Sequence, residues 1–139
     1  MSYLLVLLKL KLESQKKSPE DLNEHDVESL GALETIRLRL TQCCKLEQWQ
    51  GQQTSLVLEH GSVELMLDVS NDDVDSVSLR IFGLPRDWTW LSTVRGVLNC
   101  HVYDAQTGGW FDAFIWPTYS AWHRVAIVAL PDTDPEKET

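Results

Sequence analysis

The stretch Leu56-Val57-Leu58-Glu59-His60-Gly61, continued by Val63-Glu64-Leu65-Met66-Leu67-Asp68-Val69 and by Val77-Ser78-Leu79-Arg80-Ile81-Phe82, decides the fold. Val63, Leu65, Leu67 and Val69 alternate with Glu64, Met66 and Asp68; Val77, Leu79 and Ile81 alternate with Ser78 and Arg80. A period of two sends one set of side chains to a buried face and the other to water, the pattern of an antiparallel sheet covered on one side. His60-Gly61 and the polar run Ser70 to Asp75 supply the chain reversals between these strands. The centre of the chain is therefore a meander with one wet face.

Outward from the meander, Met1 to Leu12 reads as a strand with Leu8, Leu10 and Leu12 on one face and Lys9 and Lys11 on the other. It lacks the basic start and small-residue cleavage site of a signal peptide, and it is far short of a membrane span. Ser18-Pro19-Glu20-Asp21 has the composition of a helix start, with a short helix expected to about Leu30. Leu33, Ile36, Leu40, Cys43 and Cys44 follow helical spacing, although Ile36, Leu38 and Leu40 also alternate with Arg37 and Arg39 as in a strand. The continuation of the pattern to Leu46 and the scarcity of β-branched residues favour helix, with the vicinal cysteines as small core residues. After the break Gly83 to Asp87, the stripe Trp88, Leu91, Val94, Val97, Leu98 predicts a second packed helix. Strands follow at His101 to Tyr103, Trp110 to Trp116 and Trp122 to Leu130, the first two joined by a turn through Gln106-Thr107-Gly108-Gly109. The expectation is a single α+β domain over residues 1–130, a mainly antiparallel sheet of five or six strands with two or three helices on one face. Residues 131–139 form a flexible acidic tail.

With 139 residues, the chain can bury one core without metal or disulfide staples. Its net charge is −9, and residues 59–139 carry thirteen acids against five bases while residues 1–58 are nearly balanced. Such a field repels nucleic-acid phosphates and anionic lipid and steers a basic macromolecule inward, so neither nucleic acid nor membrane is an expected partner. Three cysteines, two of them adjacent, make no disulfide framework and point to a reducing, cytoplasmic setting.

Catalytic signatures are missing. Asp68, Ser70 and Asp72 have the alternation of a calcium loop, but Asp73 stands where the sharp turn needs glycine and Leu79 where the bidentate glutamate belongs. His25, His60, His101 and His123 have no ligand partner at metal spacing, and no nucleophile elbow or phosphate loop is present. No metal, no cofactor and no enzymatic activity are expected.

The better lead is tryptophan. Five of the six, Trp88, Trp90, Trp110, Trp116 and Trp122, lie in the acidic half. Two residues apart on a helix, Trp88 and Trp90 would point about 200° from each other, which would leave one at the surface beside Asp87. If the strand ending at Phe82 and the strand His101 to Tyr103 run parallel, Asp87, Trp88, Asp104, Gln106 and Trp110 share one end of the domain. The acidic turn Asp72, Asp73, Asp75 then lies at the other. Acids around exposed indoles have the composition of a binding hot spot, so Asp87, Trp88, Trp90, Asp104, Gln106, Trp110 and Asp112 are the candidate partner-binding residues.

The opening Met1-Ser2-Tyr3-Leu4 and the stretch Val102-Tyr103-Asp104-Ala105-Gln106-Thr107-Gly108 resemble a group of short bacterial proteins with an M-S-Y start and a Y-D-x-Q-T-G turn. These are similar to cytoplasmic immunity proteins of interbacterial toxins. The chain departs from the pattern at Leu4, where a polar residue is usual, and in the further strand Trp122 to Leu130. The resemblance implies a non-catalytic protein that binds and inhibits a cognate, basic toxin domain, often a nuclease. The alternative is an interaction or regulatory module in a bacterial assembly, or a homodimer without a toxin partner.

Overall fold

The computed structural model describes residues 2–83 and 88–111. In chain order, Ser2–Leu10 forms β1, the two-residue strands Val27–Glu28 and Gly31–Ala32 are β2 and β3, and Leu33–Cys43 is helix α1. Gln53–Leu58, Gly61–Ser70 and Asp73–Gly83 are β4, β5 and β6; Thr89–Leu98 is α2, and His101–Asp104 and Gly109–Trp110 are β7 and β8. The fold is α+β, as expected, but among the described residues the sheet has eight strands, in the order β4-β5-β6-β1-β7-β8, with β2 on β1 and β3 on β6. The additional strands are two-residue pieces, too short to write a periodicity into the sequence.

All pairings are antiparallel, so β6 and β7, which flank β1, run parallel to each other. The connection between them passes through α2, the crossover the sequence predicts. β1 occupies the middle of the sheet, which explains its run of Leu4 to Leu8 without a polar residue. Tyr3, Leu5 and Leu7 point into the core and Leu4, Val6 and Leu8 to the opposite face. The predicted face Leu8-Leu10-Leu12 is thereby corrected: Leu10 is buried, and Leu12, in a 3-10 turn past the strand, is exposed.

Both helices add one stripe to a single core. Ile36 and Leu40 of α1 and Leu91, Val94 and Leu98 of α2 join Tyr3, Leu5, Leu7, Leu65, Leu67, Leu79 and Ile81. Each such aliphatic side chain contributes about 1.5–3 kcal/mol when fully removed from water. Helix α2 ends at Asn99 in the left-handed conformation, φ 51°, where asparagine is the usual substitute for glycine. Where β5 begins, Gly61 faces Gly83, and a Cβ on Gly61 would stand 2.1 Å from the Phe82 carbonyl oxygen. Only a missing side chain permits that approach. No helix among the described residues is long and apolar enough to cross a membrane.

The helix predicted from Ser18 to Leu30 does not form. Two 3-10 turns, Pro19–Asp21 and Glu24–Asp26, and the strands β2 and β3 replace it. Its apolar positions Leu22, Val27 and Leu30 are too sparse to present a stripe to the core, and the Ser18 hydroxyl donates to Asp21 instead of capping an amide. What organises this segment is Asp26, buried at its end. Its carboxylate accepts from the Ser14 hydroxyl (2.6 Å), the Asn23 backbone N–H (2.9 Å) and the Lys17 ammonium (3.0 Å). The Ser14 hydrogen bond above all, then those from Asn23 and Lys17, hold its carboxyl down at about 2, against the opposing effect of burial. A carboxyl depressed in the folded state stabilises fully above its unfolded value near 4, and that contribution disappears as pH falls towards 2. Melting curves of the wild type and Asp26→Asn should therefore differ most above pH 4 and converge between pH 4 and 2.

Residues 112–116 of the predicted strand Trp110 to Trp116, the predicted strand Trp122 to Leu130 and the tail 131–139 lie outside the described residues.

Candidate protein-binding surface

The two stretches that carry the resemblance meet in space. The Tyr3 hydroxyl donates to Asp104 Oδ2 at 2.5 Å, and the Leu4 backbone N–H donates to Gln106 Oε1 at 3.2 Å. Asp104 Oδ1 accepts the backbone N–H groups of Gln106 (2.9 Å) and Thr107 (3.2 Å), and its carbonyl accepts from Gly108 N–H at 2.8 Å. The carboxylate is a folded turn's own acceptor, and the Y-D-x-Q-T-G pattern encodes that turn and its seam with β1.

This corrects the role expected of Asp104, which is 0% exposed and cannot meet a partner. Its strand position has the parity of Val102 and it pairs with Leu5, so it faces the core. Trp88 is also corrected. It precedes α2, with φ −110° and ψ 14°, so the helical separation expected between it and Trp90 does not apply. The two rings stack at 5.6 Å, Trp88 packs on Phe111 at 5.1 Å, and Trp88 is 7% exposed. Trp90 is half-buried against the same core. Trp110 is half-buried on the opposite face of the sheet, edge-on to Tyr103, and its indole N–H donates to the Lys17 carbonyl at 3.3 Å, pinning the segment after β1 over β7 and β8. Gln106 keeps an exposed side chain. Asp87 and Asp112 lie outside the described residues. Asp104, Gln106 and the start of α2 do share one end of the sheet, and Asp72, Asp73 and Asp75 occupy the other, since Leu8 pairs with Ser76 while Ser2 pairs with Phe82.

What the structure brings together instead is the open face of the sheet. Register aligns Gln53, Met66, Ser78, Val6, Tyr103 and Trp110 in one row across six strands. Near β7 and β8 the row is half-buried; towards β5 it is open, with Met66 46% exposed, and Val57, on the same face of β4 but four residues along from Gln53, is 67% exposed. Glu64 and Asp68 flank Met66 on the same face, Arg80 stands exposed opposite Glu64, and the serines at 55, 62, 76 and 78 leave the floor low between them. Exposed apolar side chains beside charged ones over a rigid sheet are suited to a protein surface. The alternation had placed Glu64, Met66 and Asp68 on the wet side; a methionine in such a row was the available signal.

The other candidate chemistries find no support in the geometry. No group of three or more His, Cys, Asp or Glu among the described residues could hold a metal ion. Cys43 Sγ and Cys44 Sγ lie 3.4 Å apart, but burial first, then Cys43, pushes the Cys44 thiol up to about 12, and burial pushes Cys100 up to about 11 despite Arg95. Thiols so protonated are poor nucleophiles, in keeping with packing roles. No family model, no curated protein and no solved structure matches the chain.

Proposed function

We propose that the chain is a non-catalytic, immunity-type protein that binds a cognate, basic antibacterial toxin domain in the cytoplasm and blocks it. The observation that supports this most is the open face of β4, β5 and β6, where Met66 lies exposed between Glu64 and Asp68 and Val57 lies exposed on β4 opposite Ser62, in a chain of net charge −9. A field of that sign steers a basic partner, and two apolar side chains over a rigid sheet supply anchors that cost little ordering entropy.

The experiment is protection of cells against the toxin encoded by the neighbouring reading frame. Val57→Lys combined with Met66→Lys places two cations against a basic partner and is expected to weaken binding about a hundredfold and abolish protection. Both side chains are exposed, so the variant should melt with the wild type. Association should also slow about tenfold or more from low to physiological salt, with dissociation changing less. A folded double variant that still protects overturns this surface.

One observation favours the alternative, a homodimeric interaction module: among the described residues β4 is the last strand on its side of the sheet, its outer edge met by the isolated bridges Leu46–Leu56 and Gln50–Gln53, with Val57 exposed on it. An edge covered in part can exchange those bridges for a strand across a two-fold axis. Sedimentation equilibrium distinguishes the two readings, because only the second gives a dimer without a partner.

A further inference from the structure

In a chain of 21 acids and 12 bases, one recess among the described residues reverses the balance. Between the C-terminal turn of α2 and the far end of β1 lies a cleft of about 440 Å³, lined by Lys9, Gln15, Ser92, Arg95, Asn99 and His101 together with Leu10, Gly96 and Cys100. Among the described residues no carboxylate lines it, and each of the six polar side chains carries at least one N–H or O–H donor. They come from β1, the turn after it, α2 and β7, so four parts of the chain line one space.

Arg95 is held in place there. Its Nε donates to the Cys100 carbonyl at 3.3 Å, which orients the guanidinium and leaves the two terminal nitrogens without an ion-pair partner among the described residues. Lys9 meets Glu28 at 3.5 Å, but both side chains are substantially solvated, and such a pair contributes little and exchanges readily. A helix C-terminus by itself attracts a cation, so Arg95 alone could serve only the dipole of α2. That role does not account for Lys9 arriving from the sheet, for the donor lining, or for the absence of acids.

We propose that this cleft binds a small phosphate monoester, its dianion shared by Arg95 and Lys9 and its oxygens met by Ser92, Gln15 and Asn99. Two permanent cations match two charges, the fork of Arg suits phosphate oxygens, and the volume exceeds the phosphate group, leaving room for a short organic part. The site lies apart from the face assigned to a protein partner and does not depend on that assignment.

The test is calorimetric titration and thermal melting of the full chain with inorganic phosphate and with ribose 5-phosphate, at ionic strength matched with sodium chloride. One saturable site with a raised melting temperature is expected, with the tighter of the two probes showing whether the organic part is read. Arg95→Gln and Lys9→Gln should each weaken binding tenfold or more, while Glu28→Gln, which frees Lys9, should not weaken it. Lys9 is solvated, so its variant retains the fold even if Arg95→Gln does not, and circular dichroism verifies both. Melting that follows ionic strength alone, or binding undiminished in folded Lys9→Gln, overturns the proposal.

Discussion

Asp104→Ala is expected to lose about 3–5 kcal/mol of stability, because a single buried carboxylate serves three donors from two distant parts of the chain. Without it the backbone N–H groups of Gln106 and Thr107 lose their acceptor and the Tyr3 hydroxyl loses its charged one. Asp104→Asn, nearly isosteric, retains a single carbonyl oxygen and should cost less than the alanine change. Urea unfolding midpoints of the two variants test this order. An alanine variant within about 1 kcal/mol of the wild type would mean that the turn holds without its carboxylate. Asp104→Lys should fail to fold, since an ammonium cannot accept from these donors.

Trp88→Ala is expected to cost about 3–5 kcal/mol, as large aromatic truncations in cores do. The indole fills the space between Trp90 and Phe111 at the point where the chain enters α2. Its removal leaves a cavity under the first turn of that helix and breaks the stacked pair. Near-ultraviolet circular dichroism should lose intensity even under conditions where the variant remains folded, and the melting temperature should fall by well over 10 °C for a domain of this size. Under the proposed function, loss of toxin protection by this variant would therefore report unfolding, and Trp88→Phe, which keeps most of the packing, should retain the fold.

The elements legible in the sequence are those whose pattern repeats. The alternation from Val63 to Ile81 dictates two long strands and their wet face, and the stripe Leu91, Val94, Leu98 dictates α2. Helix α1 was ambiguous because Ile36, Leu38 and Leu40 satisfy both periods; the tertiary contacts decide it, burying Ile36 and Leu40 and leaving Leu38 in water. Between Ser18 and Leu30, good starting residues precede a segment with no apolar stripe, and local capping signals cannot hold a helix that has nothing to pack. Of the candidate site, the shared end of Asp104, Gln106 and α2 was legible from strand parity. The burial of Asp104 was hidden because a charged residue reads as surface until its donors are known, and those donors lie across the sheet and in its own turn. Trp88 was misplaced by a single position at a helix boundary, which is enough to replace opposed rings with stacked ones.

The central place of β1 has a consequence for how the chain assembles. β1 precedes both of its long partners in sequence, and the hydrogen bond between Tyr3 and Asp104 joins residues 101 apart. The meander of β4, β5 and β6 can zip locally, but it presents an open edge until β1 docks, and β1 in turn remains half-paired until β7 follows α2 into place. Closing loops of that length carries an entropic cost before any contact offsets it, so docking of the earliest strand between two that emerge much later is expected to limit the folding rate. During synthesis the apolar segment Leu4 to Leu8 must wait unpaired while most of the chain is made, the interval in which the protein is most open to aggregation.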